Sequence, residues 1–287
     1  MPELCVAHLV RQKNDPVAFR SFLESYVRHP AGELHDLLII FKGFSAPARM
    51  EAYDAMLQGI AHRRVFVGDS GFDIGSYRAA ARAVPHQRFV FLNSFSRILQ
   101  SGWLETMCRH ARRKGVGIVG ATASHQSVLG DLMEMRRQSR RWLLAARRNL
   151  RYFMSVRGRF PPFPNPHVRT NAFLISRDVL DGLRVDTART KWDAYRFESG
   201  SHGLTRQVLS AGLLPLVVGR DGRAFAPEDW PDARTFWIAD QSNLLVEDNQ
   251  TRAYSDGDVS TRERLAYNAW RRWPDGRIRL DPPPAYG

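Results

Sequence analysis

Lysine is scarce in this 287-residue chain: Lys13, Lys42, Lys114 and Lys191 are the only lysines among 42 basic residues, and the rest are arginine. Two cysteines, Cys5 and Cys108, are too few for a disulfide scaffold and show no metal-ligand spacing. The expectation from them is a reducing, cytoplasmic compartment. Long apolar runs are also missing. Leu37–Phe41 and Leu213–Val218 are among the longest, and a spanning helix needs roughly 20 such residues. The N-terminus carries Glu3 and no basic segment, so no signal peptide is expected.

Familiar short motifs are absent too. No Gly-x-x-x-x-Gly-Lys-Ser/Thr occurs, which argues against a P-loop ATPase or kinase. The first apolar segment runs into Val10-Arg11-Gln12-Lys13 rather than Gly-x-Gly-x-x-Gly, so the dinucleotide fingerprint is missing. There is no Gly-x-Ser-x-Gly elbow and no His-Glu-x-x-His, and the nine histidines are scattered. The 44% hydrophobic and 25% charged fractions are those of a folded globular chain with a real core.

What the chain does have is positive charge, +13 net, and it is concentrated. Nine arginines lie between Arg136 and Arg159, without a single Asp, Glu or Lys, which leaves a surplus of four for the rest. Leu132, Met135, Trp142, Leu143, Ala146, Leu150, Phe153 and Met154 recur there at a helical period. The pattern predicts a basic amphipathic helix facing an anionic membrane or ligand. The plain alternative is a solvated helix packed on the body of the protein.

Strands and helices alternate through the first half. Strands are expected at Leu4–Leu9, Asp36–Phe41, Arg64–Val67, Arg88–Leu92 and Val116–Ala121. Helices are expected at Pro16–Val27, Ala48–Ile60, Ile74–Val84 and Trp103–Arg113. This is the pattern of βαβ units and a mostly parallel sheet, whose ligands bind at the carboxyl ends of strands. Later come a strand at Thr170–Ser176, a helix at Ser199–Ala211, a strand at Leu214–Val218, a short strand near Phe236–Ala239 and a helix near Thr261–Trp270. The polar run around Leu244–Thr251 reads as a surface extension packed on the sheet, or as a segment folded back over the cleft.

Four polar segments fall on the expected loops. Gly68–Tyr77 carries Asp69 and Asp73. Asp73 suits a base or a ribose hydroxyl, and equally the N-cap of the following helix, a role that stabilises by about 0.5–2 kcal/mol. Asn93 and Ser94 end the fourth strand. Arg169–Arg177 contains Asn171. Phe197–Arg206 contains Glu198, read as a helix-start carboxylate, with His202 four residues on.

In this order the segments resemble a bacterial glycosyltransferase of the GT-A fold, similar to family-2-like and rhamnan- or capsule-synthesis enzymes. The likeness is carried by His35–Phe44, Phe72–Tyr77, Asn93-Ser94, Asn171–Leu180 and Glu198–Gly212, and spans roughly residues 1–220. It implies an α/β, GT-A-like, Rossmann-type sheet flanked by helices. Residues 1–225 would form the catalytic domain, with a basic helical insertion at about 131–166, and residues 226–287 a C-terminal extension. It implies transfer of a sugar from a nucleotide-sugar donor to a saccharide or lipid-linked hydroxyl acceptor, with inversion; the expected location is cytoplasmic, peripheral at the inner face of a membrane through the arginine-rich helix. Arg11, Asp69, Asp73, Asn93 and Ser94 would bind the donor, and Asn171 and Arg206 the acceptor. Glu198 would be the general base, assisted by His202.

One departure stands out. Asn93-Ser94 occupies the place of the Asp-x-Asp pair that in the family holds Mn²⁺ or Mg²⁺ against the diphosphate. Asn offers a neutral oxygen, so the expectation is metal-independent transfer with arginines offsetting the diphosphate. Two other functions remain open: a nucleic-acid-binding protein using the arginine-rich helix, and an inactive transferase relative acting as an assembly partner.

Overall fold

The computed structural model describes residues 2–44, 50–138, 153–185 and 190–280, with side chains at 135–138 and 191 left undescribed. Its centre is an eight-stranded sheet in the order β11-β10-β6-β9-β4-β1-β2-β3. The strands are β1 (Leu4–Arg11), β2 (Asp36–Lys42), β3 (Arg63–Val67), β4 (Arg88–Leu92), β6 (Val116–Gly120), β9 (Ala172–Ser176), β10 (Leu214–Val218) and β11 (Ala224–Phe225). The central strands are near-continuous apolar runs because helices cover both of their faces. β1 pairs in parallel with β2 and β4, β2 with β3, and β6 with β10. β9 is antiparallel to both of its neighbours, β4 and β6. The α/β architecture with a mostly parallel sheet is the one the alternation predicts.

Helices α1 (Pro16–Arg28), α2 (Glu51–Leu57) and α4 (Trp103–Ala111) pack on one face around Phe19, Phe22, Trp103 and Met107. The α1 start follows from its sequence: Asp15 accepts the Val17 N–H at 2.8 Å, and Pro16, which lacks an N–H, takes the first turn. Helix α3 (Phe72–Ala83) and the helices Arg177–Gly182, Lys191–Ser199 and Leu204–Ser210 cover the other face around Tyr77, Phe91 and Phe173. Trp230, Phe236 and Trp270 from the C-terminal region join that second core.

Three local expectations are corrected. The helix expected over Ser199–Ala211 is shorter, Leu204–Ser210, and a turn at 200–203 separates it from a preceding helix, Lys191–Ser199. A Cβ on Gly200 would meet the Arg196 carbonyl at 2.4 Å, and one on Gly203 would meet the Phe197 carbonyl at 2.9 Å, so glycine lets the chain fold tightly against the helix it has left. Glu198 therefore sits in the last turn of Lys191–Ser199, not at a helix start. The strand expected near Phe236–Ala239 does not form, because Trp237 (φ 48°) and Ala239 (φ 50°) are left-handed and break any extended ladder. Of the basic amphipathic helix, α5 (Val128–Gln138) and a helical turn at 153–157 are described. The stretch 139–152, which holds Arg140, Arg141, Arg147, Arg148 and Arg151, lies outside the described residues.

The extension folds back over the strand ends. β12 (Val246–Glu247) pairs antiparallel with β5 (Arg97–Ile98), which follows β4. Next in sequence, the fully buried Asp248 accepts from Arg169 Nη2 at 2.9 Å and caps the helix Asn249–Ser255 through Gln250 and Thr251. No helix among the described residues is long and apolar enough to cross a membrane.

Candidate functional site

Strand order says where a crevice is to be expected. Running out from β1, the chain first builds β2 and β3 on one side, then returns to place β4 on the other. Side chains leaving the carboxyl ends of β1 and β4 diverge at such a reversal, which opens a cleft. Arg11 ends β1, Lys42 ends β2, Asp69 and Asp73 follow β3, and Asn93 and Ser94 follow β4.

The floor is Lys42, 1% exposed, one of only four lysines. Its ammonium donates to Ser70 O at 3.1 Å, to Phe72 O and to Ser76 Oγ at 3.1 Å. Those bonds hold a loop in which Gly71 (φ 82°) and Phe72 (φ 46°) are both left-handed. A non-glycine residue in that region costs of order 1–3 kcal/mol, so the anchoring from below keeps the bend in place. Burial lowers the pKa of Lys42, against the pull of Asp73.

Around this floor sit paired charges. Lys13 donates to Asp69 at 2.5 Å and holds that carboxyl below the usual range. Asp73 does not cap α3. Gly71 is the N-cap, and Asp73 in the first turn faces Arg11, with Oδ1 3.9 Å from Nη1. Burial raises the pKa of Asp73; Arg11 and Lys42 oppose the shift, and Glu198 adds to it. One turn on, Tyr77 is wholly buried, and its hydroxyl pKa is raised by burial and then by Asp73 and Glu198. The carboxylates of Asp73 and Glu198, 125 residues apart in sequence, thus share one neighbourhood.

Glu198 arrives from the far side of the crevice. Its Oε2 accepts from Thr170 Oγ1 at 2.5 Å, and Thr170 stands just before β9. Buried His167 close by is held neutral by burial and offers Nδ1 to Asn165 O at 2.8 Å. His202 is not part of this group. It lies in the exposed turn after the helix, and among the described residues no hydrogen bond or ion pair joins it to Glu198. Arg206 is held at Asn165 Oδ1 (3.4 Å) and lines a separate groove with His202.

On the β4 side, Asn93 shapes the loop. Its Oδ1 accepts from Phe95 N and Ser96 Oγ, both at 3.0 Å. Asn171 Oδ1 accepts from Thr122 Oγ1 at 2.7 Å. Several buried atoms have no hydrogen-bond partner in the protein: Arg11 Nε, Asp73 Oδ1, Tyr77 OH, Ser94 Oγ and Asn171 Nδ2. Buried polar atoms ordinarily find a partner, so this set marks where polar groups of a ligand or ordered water belong.

The donor set does not fit a divalent metal. Among the described residues no three His, Cys, Asp or Glu side chains converge. Asn93 Oδ1 is already shared by two donors, and one oxygen of Asp69, Oδ2, accepts from Lys13. What the crevice offers an anion is cationic side chains, Arg11 and Lys13 at its edge.

Sequence reasoning placed Arg11, Asp69, Asp73, Asn93, Ser94 and Glu198 at loops, and the structure gathers them at one end of the sheet. It missed Lys42, Lys13, Tyr77 and Thr170. A lysine closing the apolar run Asp36–Phe41, in a chain so poor in lysine, was the available signal for Lys42.

No family model matches the chain, and no curated protein does. Among solved structures it is similar to the mannosyltransferase PcManGT from Pyrobaculum calidifontis in complex with GDP-Man and Mn²⁺ (TM-score 0.48, 11% identity). That match covers 82% of this chain and 60% of the other, so the chain spans under two thirds of that protein. It is also similar to a CMP:2-keto-3-deoxy-manno-octonic acid synthetase complexed with CTP (TM-score 0.42, 10% identity, 75% and 88% covered). Both likenesses concern the course of the chain alone.

Proposed function

We propose that this protein is a nucleotide-sugar-dependent glycosyltransferase that works without a bound divalent metal. The observation that supports it is the strand-end crevice, where Arg11, Lys42, Asp73 and Glu198 converge at the reversal of strand order. In this reading Asp69 and Asp73 contact the nucleoside. Asp73 Oδ1, which has no protein hydrogen bond, accepts from a ribose or base donor. Arg11, with an unmatched Nε–H, and Lys13 offset the diphosphate as it becomes the leaving group. Ser94 and Asn171 offer further polar atoms on the β4 side.

Glu198 is the base. Thr170 occupies one carboxylate oxygen and fixes its orientation, while Oε1 has no hydrogen bond among the described residues. That oxygen is the one to take the proton of an acceptor hydroxyl as it attacks the anomeric carbon. Inversion follows if the hydroxyl attacks from the face opposite the leaving diphosphate. The saccharide or lipid-linked acceptor, and attachment of the arginine-rich segment to an anionic membrane, belong to the same proposal.

The test has two parts. UDP-, GDP-, dTDP- and CMP-sugars are screened by thermal shift with and without Mn²⁺. Stabilisation by one nucleotide class that persists in EDTA is expected, and no stabilisation by any of them refutes the donor site. Once a donor is known, Glu198→Gln should retain donor binding and lose turnover by about 10²–10⁴-fold. Wild-type turnover in that variant removes Glu198 as the base.

A further inference from the structure

A second recess lies on the helical face that carries α3, away from the strand-end crevice. It is a groove of about 740 Å³ lined by Arg184, Arg196, Arg206 and His202, with Leu183 and Leu213 among its apolar lining residues. A hollow of about 70 Å³ next to it shares Arg184, Arg196 and His202 and adds Arg159. Among the described residues two carboxylates line these recesses. Asp178 stands in the groove lining. Asp193 lies 3.7 Å from Arg196, but its other oxygen is used by the Thr190 capping box.

The recess is built rather than incidental. Gln207 accepts from Arg184 N at 2.7 Å and donates to Arg184 O at 3.0 Å and His202 O at 2.8 Å. One side chain thus ties two separate loops together, so the residues that carry the charge are held beside one another before any ligand arrives. Arg206 is held by Asn165, itself buried and donating to Ser199 O at 2.7 Å. Its Nε is buried with no partner among the described residues. A guanidinium fixed in place with an unmatched N–H calls for an acceptor oxygen.

We propose that this groove binds an organic phosphate, with the phosphoryl group on Arg184, Arg196, Arg206 and His202 and the apolar part of the molecule over Leu183 and Leu213. Planar guanidinium forks match phosphate oxygens in pairs. Among the described residues the guanidinium groups outnumber the carboxylates in the lining, which suits a phosphate better than a single carboxylate. The apolar lining favours an ester over the free ion, because it removes hydrocarbon from water. The inference does not depend on what reaction the strand-end crevice performs.

The experiment uses the full chain and three probes: inorganic pyrophosphate, decyl phosphate, and phosphatidylcholine vesicles containing phosphatidic acid. Binding of the first two is measured by calorimetry, and of the vesicles by co-sedimentation. The comparison variants are Arg184→Gln/Arg196→Gln and, as a control on the other site, Arg11→Gln. Unfolding midpoints check that each variant is folded. Saturable binding of decyl phosphate, weakened about tenfold or more in the double variant and kept in Arg11→Gln, is the expected result. Vesicle binding lost with it assigns the phosphate to a lipid headgroup; decyl phosphate binding without vesicle binding assigns it to a soluble ester. The site is refuted if neither phosphate binds saturably, or if binding survives the double variant, including the case where it is lost only in Arg11→Gln.

Discussion

Replacing Lys42 with Met probes the support under the candidate donor site. Met keeps most of the stem and removes the ammonium. Three donations disappear, to Ser70 O, Phe72 O and Ser76 Oγ. Phe72 O and Ser76 Oγ keep their own hydrogen bond at 3.1 Å, which softens the loss, whereas Ser70 O loses the ammonium outright. A hydrogen bond from a charged group contributes about 1.5–3 kcal/mol, so the gross loss is several kcal/mol. Two effects offset it. Met avoids the burial penalty that lowers the pKa of Lys42, and a loosened Phe72 relaxes about 1–3 kcal/mol of left-handed strain. The expected net destabilisation is about 2–4 kcal/mol. Urea unfolding at pH 7, followed by tryptophan fluorescence, reads it directly. The same variant should bind any stabilising nucleotide more weakly, because the loop that carries Asp69 and Asp73 is no longer held. A loss below about 0.5 kcal/mol, the range of an ordinary surface change, refutes the claim that Lys42 holds this loop.

Other expectations follow from the same geometry. Asp73→Asn should stabilise the protein at pH 7: burial raises the folded pKa of Asp73, so wild-type stability falls as pH rises from the unfolded value near 3.8 through that raised value. The gain should shrink when unfolding is repeated below pH 4, and a variant less stable than wild type at pH 7 contradicts it. Arg169→Met should cost about 3–5 kcal/mol by leaving buried Asp248 unpaired. Adding Asp248→Asn, which keeps the N-cap, should restore part of that loss, and strict additivity in the cycle shows the pair to be uncoupled. His8 is wholly buried, stacked on Phe22 at 3.7 Å, with neither ring nitrogen bonded, and burial pushes its pKa down to about 3. Its folded pKa lies below the unfolded 6.5, so stability falls as pH drops from 6.5 towards 3. His8→Phe should flatten that part of the stability–pH curve, and an unchanged slope in urea unfolding rejects the assignment.

The periodicity of Leu4–Leu9, Asp36–Phe41 and Arg88–Leu92 made the sheet readable, because strands buried on both faces leave unbroken apolar runs. Leu214–Val218 and Arg88–Leu92 match the expected bounds residue for residue. The Phe236–Ala239 segment misled for the same reason: its apolar run reflects burial in a core, while left-handed backbone at Trp237 and Ala239 is invisible to hydropathy. Glu198 closes a helix rather than opening one. Its place in the crevice depends on the hydrogen bond to Thr170 and on proximity to Asp73, which lie far off in sequence, beyond any single window of residues. The links from Lys42 to the Ser70 loop and from Arg169 to Asp248 were hidden in the same way.

β9 runs against its neighbours, and this makes the middle of the chain one long hairpin. Its stem starts with β6 against β9 and continues where Ala121 N meets Ala172 O at 2.9 Å. From there β7 (Ala123–Ser124) lies against β8 (His167–Val168), and Asn165 N reaches His125 O at 2.9 Å. The connection between His125 and Asn165, in whose sequence the arginine-rich stretch falls, therefore leaves and rejoins the stem at adjacent points. In the sheet, β4 and β6 touch only through β9, so the half that carries Arg11 and Asp73 is fastened to the half that carries β10 by a strand that must first span this hairpin.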